Sequence, residues 1–347
     1  MATPHATSPI PIIDISTFLR GSTDERDALA QRVDETNRAL GFLLISGHGL
    51  PRQQIDNMFA LSREFFESPL DARTAVLAPA GQYHGYHPMA ASGLAAKEGG
   101  SALPDLREYF MVGRMDLEHP SFATEAGQQF HRPNRWPPEL AAFRVETESY
   151  YHAMEKLGAT LMRLFARALG VDENWFDTRI DHHFSVLSSV YYPAQRDRPQ
   201  PGQLRAGAHT DYGALTILAP TDAPGGLQVM DLCGQWIDVP FYPDAFVINL
   251  GDMMQRWTND RWRSTPHRVV NPPEALGHAG PRQSLAYFLH PNHDAMIEAI
   301  PGCVPRHELP KYSPIRAGTY IAEREARIEA ANAVIPSEVG LGLDSDT

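Results

Sequence analysis

Ala208-His209-Thr210-Asp211-Tyr212-Gly213 is the stretch on which the reading of this chain turns. His209 and Asp211 stand two apart, and on an extended strand two such side chains project from one face. They can therefore offer an imidazole nitrogen and a carboxylate oxygen to one ion. A third donor has to come from elsewhere, and His267 in Ser264-Thr265-Pro266-His267-Arg268-Val269-Val270 is the best candidate. Two histidines and a carboxylate on one side of a metal leave adjacent positions open, the arrangement that suits non-haem Fe(II). Alone, a His-x-Asp pair has little specificity. His290 with His293, and His84 with His87, compete at i, i+3 spacing. The first pair follows a strand-like run and the second sits in an irregular segment, so neither has the helical context that zinc sites of this spacing need.

Around this stretch the texture is that of a β-rich unit. From Asp181 onward, short apolar runs at 184–193, 215–219, 227–230, 236–239, 246–250, 267–270 and 284–289 alternate with turns such as Asp222-Ala223-Pro224-Gly225-Gly226. Many short strands at close spacing fit a double-sheet jelly roll (a double-stranded β-helix). Upstream, Pro137-Pro138 opens a long helix to about Gly170, with Phe143, Tyr150, Met154, Leu157 and Leu161 on its apolar stripe. That stripe reads as a scaffold helix laid against a sheet. The N-terminal third reads as a small α/β layer: strands at 11–15 and 41–46, and helices at 24–40 and 51–69. Between Gly81 and Arg135 no period is sustained, apart from a strand expected at 104–110, and a long irregular segment suggests a lid or substrate wall. A terminal helix is expected at 318–333, a loose arm over the first ten residues and disorder in the last dozen. The expected fold is mainly β with flanking helices.

Composition narrows the function classes. With 347 residues, 43% hydrophobic and 21% charged, the chain can bury a large core. A formal charge of -12 leaves no basic excess for nucleic acid. Only Cys233 and Cys303 are present, which excludes a disulfide framework and fits a reducing, cytoplasmic setting. No apolar run reaches the length of a membrane span, and Met1 to Ile10 lack the marks of a signal peptide.

Several segments carry a family likeness. Tyr191-Tyr192-Pro193, His209-Thr210-Asp211, Ile248-Asn249-Leu250-Gly251-Asp252, His267-Arg268-Val269-Val270 and Arg282-Gln283-Ser284 lie in the C-terminal region. Pro11-Ile12-Ile13-Asp14, Gly41-Phe42, Gly47-His48-Gly49 and Asp105-Leu106-Arg107-Glu108 lie in the N-terminal one. In order and spacing the chain resembles the isopenicillin N synthase-like branch of the Fe(II)/2-oxoglutarate-dependent oxygenases. The resemblance implies a flanking domain over 10–115, a linker and scaffold helix over 116–179, a catalytic jelly roll over 180–292, and a C-terminal helix and tail over 293–347. It also implies an enzyme that couples oxidative decarboxylation of 2-oxoglutarate to hydroxylation, desaturation or cyclisation of a small metabolite. Fe(II) and O2 would be required, with ascorbate as an assay reductant.

Within that likeness His209, Asp211 and His267 are the metal ligands. Arg282 and Ser284 occupy alternate positions on the last strand, where an arginine fork can pair with the distal carboxylate of 2-oxoglutarate. Tyr192 matches the family's tyrosine before proline and adds a hydrogen bond. Arg268 points to the opposite face. Where related plant enzymes carry an asparagine two residues before that tyrosine, this chain has Val190, and the loop from Asn271 to Pro281 is longer than the family leads one to expect. Arg107, Arg205, Arg256, Tyr83, Tyr86, Phe110 and Phe288 are candidates for the substrate wall. Tyr287-Phe288-Leu289-His290-Pro291-Asn292 also resembles the bacterial ethylene-forming member. The expected partner is a small molecule from bacterial secondary metabolism, with no nucleic acid or membrane and the chain a monomer or weak homo-oligomer. Three alternatives stand beside this reading: a 2-oxoglutarate-independent or ethylene-forming relative, a non-catalytic jelly-roll binding protein, and a zinc hydrolase using the same three ligands.

Overall fold

An eight-stranded sheet separates two apolar clusters, and the strand residues alternate between them. The computed structural model describes residues 10–89, 93–94, 103–195, 198–273 and 279–332. In chain order the strands of the two principal sheets are β1 (Ile12–Asp14), β2 (Phe42–Ser46), β3 (Gly85–His87), β4 (Glu108–Val112), β5 (Val186–Tyr192) and β6 (Ala206–His209). They continue with β7 (Leu215–Pro220), β8 (Leu227–Met230), β9 (Trp236–Asp238), β10 (Phe246–Leu250), β11 (His267–Val269) and β12 (Arg282–Leu289). The large sheet runs β1-β2-β10-β7-β12-β5-β4-β3 and the smaller, four-stranded one β6-β11-β8-β9. Together they form the double-sheet jelly roll expected from the strand spacing.

Apolar runs such as Phe42-Leu43-Leu44-Ile45 are continuous because both faces of the large sheet are covered. Leu43 and Ile45 join the outer cluster with the helices, whereas Phe42 and Leu44 join the cluster between the sheets. Strand β10 repeats the alternation, with Phe246, Ile248 and Leu250 outward and Val247 inward. Outside lies the helix Ala141–Leu169, stopped by Gly170 in the left-handed conformation (φ 74°). Beside it packs the helix Arg52–Glu67, whose Phe65 stacks parallel on Phe143 at 5.4 Å and meets Phe110 at 4.9 Å. Replacing Phe65 by Ala is expected to lower stability by about 3–5 kcal/mol, read as a shift in the urea midpoint.

Three expectations change. The N-terminal strands do not form a layer of their own: β1 and β2 extend one edge of the jelly-roll sheet through β10, and β3 and β4 the other through β5. An edge strand with unpaired amides is a ready template, and the flanking segments satisfy it. The strand expected at 104–110 lies at Glu108–Val112, and Asp105 before it accepts instead from the backbone amides of Leu94 and Gly207. The segment from Gly81 to Arg135 thus carries strands and the short helix Glu125–Phe130 within its irregular course. The helix Ala317–Asn332 matches the expected terminal helix. The expected N-terminal arm and C-terminal disorder fall outside the described residues, except Ile10, which is buried. No described helix is long and apolar enough to cross a membrane.

Candidate metal centre and active-site cavity

His209 ends β6, and His267 begins β11 directly across the antiparallel ladder. This pairing closes the long sequence gap between them. The strand stops at His209, so Asp211 is not the next residue on its face as expected; it sits in the irregular segment after the strand. A backbone bond holds it instead: the Asp252 amide donates to the Asp211 carbonyl at 2.8 Å. Gly251 permits that approach, since a Cβ there would lie 2.2 Å from the Gly213 carbonyl oxygen.

The three side chains converge. Asp211 Oδ1 lies 3.8 Å from His209 Nε2 and 3.7 Å from His267 Nε2. Among the described residues this is the one group of three His, Cys, Asp or Glu whose ligand atoms all fall within 4.8 Å of one another. The pairs His84/His87 and His290/His293 form no such group. His209 Nδ1 faces the Gly207 carbonyl oxygen at 2.8 Å and His267 Nδ1 the Thr265 carbonyl oxygen at 3.2 Å. A carbonyl only accepts, so each Nδ1 carries the proton and each Nε2 turns its lone pair toward the centre.

Asp211 Oδ2 accepts from Thr216 Oγ1 at 2.5 Å and from Asn249 Nδ2 at 2.7 Å, leaving Oδ1 to face the histidines. Burial pushes this carboxyl up, but the charge of the two histidines when protonated, together with these hydrogen bonds, outweighs it and holds it below the ordinary aspartate value. The donor set fits Fe(II): two neutral imidazoles, one carboxylate, and no thiolate or fourth histidine in the group. The sequence shows Asn249 within the segment 248–252 that carries the family likeness, but neither its role here nor that of Thr216. The available signal was a polar residue at an inward position of an otherwise apolar strand. Asn249→Ala is expected to weaken Fe(II) affinity roughly 10- to 100-fold, measured by anaerobic metal titration.

A narrow inner cavity of about 60 Å³ leads from this group to Tyr192, Arg282 and Ser284. Arg282 opposes Tyr192 across the ladder, with its guanidinium 5.0 Å from the Tyr192 ring centre. It is buried, and its Nη1 has no hydrogen-bond partner among the described residues. Burial pulls its pKa down, with Tyr192 opposing. A buried guanidinium with an idle donor is a seat for an anion. Val190 presents an apolar side chain to the same cavity.

A wider cavity of about 200 Å³ is also lined by His209 and Asp211. Alternate residues supply its walls: Arg107 just before β4 with Tyr109 and Met111 along it, and Val186, Ser188 and Val190 along β5. Tyr83, Arg107 and Phe288 are thus where the sequence led one to expect them. Tyr86 and Phe110 are not, being on the buried face with Phe65. Arg205 lies behind the inner cavity, donating to the Pro224 carbonyl, and Arg256 stacks on Tyr312 on another surface. Arg268 donates to Gln228 and lies over Trp236, on the face away from the centre as expected. His290 and His84 also line the wide cavity, and burial pulls both down to about 4. Both are neutral at pH 7.

Comparison with known proteins agrees with this architecture. Residues 10–139 match the model of the N-terminal region of the non-haem dioxygenase in morphine synthesis, and residues 183–291 that of the 2OG-Fe(II) oxygenase superfamily. The chain is 34% identical over 316 residues to the 2-oxoglutarate-Fe(II) type oxidoreductase hxnY of Emericella nidulans, covering 89% of this chain and 87% of that one. It is 29% identical to the validamycin A dioxygenase of Streptomyces hygroscopicus subsp. limoneus, covering 86% and 81%. The crystal structure of Neurospora crassa T7H with alpha-KG and thymine superposes with a TM-score of 0.81 at 33% identity, covering 93% of this chain and 98% of that one. A jelly roll with two histidines and an aspartate at its mouth, matched over most of its length by such relatives, places this chain in the 2OG-Fe(II) oxygenase superfamily, as an Fe(II)- and 2-oxoglutarate-dependent enzyme.

Proposed function

We propose that His209, Asp211 and His267 hold Fe(II), and that Arg282, Ser284 and Tyr192 seat the distal carboxylate of 2-oxoglutarate in the inner cavity. The substrate, a small organic metabolite, occupies the wider cavity, which His209 and Asp211 also line. The observation that carries this reading is the shared wall: His209 and Asp211 line both cavities. Co-substrate and substrate can then both reach one metal.

Bound iron supplies the O2 activation that joins loss of CO2 from 2-oxoglutarate to oxidation of a substrate C–H bond. One O2 and one 2-oxoglutarate yield succinate, CO2 and a hydroxylated product. The protein contributes position. The Gly207 and Thr265 carbonyls fix the imidazole tautomers, and Thr216 with Asn249 fixes the carboxylate. Arg282 orients the keto-acid so that its other end faces the ligands, and the aromatic walls exclude water. The domain limits 10–115, 116–179, 180–292 and 293–347 belong to the same proposal. So do a cytoplasmic location and a monomeric or weakly homo-oligomeric state.

The test is succinate formation by the full chain with Fe(II), 2-oxoglutarate and ascorbate across a metabolite panel. Substrate-dependent succinate that a chelator abolishes and N-oxalylglycine inhibits is the expected result. Product without succinate would identify an oxidase that takes its electrons from substrate. No O2 consumption across the panel would overturn catalysis in favour of a binding role.

A further inference from the structure

The wide cavity contains a charge that the metal and co-substrate sites do not use. Arg107 immediately precedes β4 and lines both cavities where they meet beside Asp211. Its side chain is only 16% exposed. Its ion-pair partner among the described residues is Asp105, whose Oδ2 lies 3.4 Å from Arg107 Nε, and the Asp211 carboxylate also acts on its charge. The Asp105 carboxylate is already committed, Oδ1 to the Gly207 amide at 2.9 Å and Oδ2 to the Leu94 amide at 3.2 Å. Asp105 thus ties the segment before β4 to the strand that carries His209. It keeps the arginine charged without occupying its donors, and Arg107 Nε makes no hydrogen bond among the described residues. The guanidinium lies over Tyr109 at 5.1 Å, and Tyr109 in turn stacks on His87 at 4.4 Å. These contacts fix its position from the side.

The rest of the wall is chemically different. Tyr83, Tyr109, Phe130, Phe184, Tyr212 and Phe288 give it aromatic faces. His84 and His290 are neutral at pH 7 and offer hydrogen bonds without charge. Glu325, on the C-terminal helix, also reaches this wall and is engaged in an interaction of its own within the protein. An aromatic box of about 200 Å³ with one fixed guanidinium beside the ligands calls for a planar molecule bearing an anion. Resting on the placement of the substrate given above, we propose that the primary substrate is a small aromatic or heteroaromatic acid. Its carboxylate pairs with Arg107, which holds the ring against Tyr109 and Phe288 with a C–H bond toward the metal. Arg107 is then the residue that selects acids over neutral isosteres.

Equilibrium titration tests this without turnover. The full chain, loaded with redox-silent Mn(II) and 2-oxoglutarate, is titrated with phenylacetate against phenylacetamide and with benzoate against benzamide. The expected result is at least about tenfold tighter binding of the acid in one pair or both. Arg107→Met should bring the acid down to the amide's level and leave the amide and 2-oxoglutarate unchanged. Arg107→Lys, which keeps the charge without the fork, should retain part of the preference and shows that the variants fold. Equal binding of acids and amides by the unaltered chain, no binding of the acids, or a preference that survives Arg107→Met would each overturn the proposal. So would a selective loss of 2-oxoglutarate binding in Arg107→Met, which would assign the arginine to the co-substrate. The same titrations on the metal-free chain separate this idea from the metal assignment. Failure to bind Mn(II) and 2-oxoglutarate with the acid preference intact overturns only the latter.

Discussion

Asp211→Ala is expected to reduce succinate formation to background and to weaken Fe(II) binding by at least about a hundredfold, since loss of an outer partner alone costs roughly 10- to 100-fold. Charge and geometry both set the size of the effect. Asp211 supplies the only negative charge in the group of three, and its Oδ1 lies within 3.8 Å of both imidazole Nε2 atoms. Without it, two neutral imidazoles face the ion, and the donors of Thr216 and Asn249 lose their acceptor in a buried site. Asp211→Asn separates charge from shape, because it keeps an oxygen of similar reach but not the anion. Activity and metal affinity should fall in this variant too, while the circular dichroism spectrum stays that of the unaltered protein. Substantial turnover by either variant would remove Asp211 from the ligand set.

The second large effect is expected at Arg282. Arg282→Met should raise the KM for 2-oxoglutarate by roughly 30-fold or more, the loss that follows removal of one partner of a buried charged pair. Fe(II) affinity should change little, because Arg282 lies at the far end of the inner cavity from the histidines. Stability should move in the opposite sense. In the absence of an anion, Arg282 is a buried cation with an unsatisfied Nη1. Replacing it with an apolar side chain of similar length relieves that burial, so the melting temperature of the co-substrate-free protein should hold or rise. Adding 2-oxoglutarate should stabilise the unaltered protein and leave the variant unmoved. A variant that melts earlier and binds 2-oxoglutarate normally would make Arg282 a structural residue.

Much of the site could be read in one dimension because it is written on strands. Residues 282, 284, 286 and 288 line the inner cavity, while Leu285, Tyr287 and Leu289 enter the outer core. A period of two makes such a division visible in sequence. The same rule would have excluded Phe110 from the substrate wall in favour of Tyr109 and Met111, had the strand been placed at Glu108–Val112. It failed at Asp211, where the strand stops two residues too soon for alternation to govern the side chain.

The sequence by itself determined the jelly roll, through short apolar runs punctuated by turns, and the chemistry of the metal group, through the residue types at 209, 211 and 267. It also carried Arg282 and Ser284 as a pair on one face. What only the tertiary structure decided is how distant segments share one space. The register that sets His267 opposite His209, the backbone contact from Asp252 to Asp211, and the pairing of β4 onto β5 that brings Arg107 beside the ligands all join residues far apart in the chain. Local periodicity records which face a side chain takes. Which faces meet is settled by the burial of whole sheets and the satisfaction of their edges, and no stretch of sequence contains that by itself.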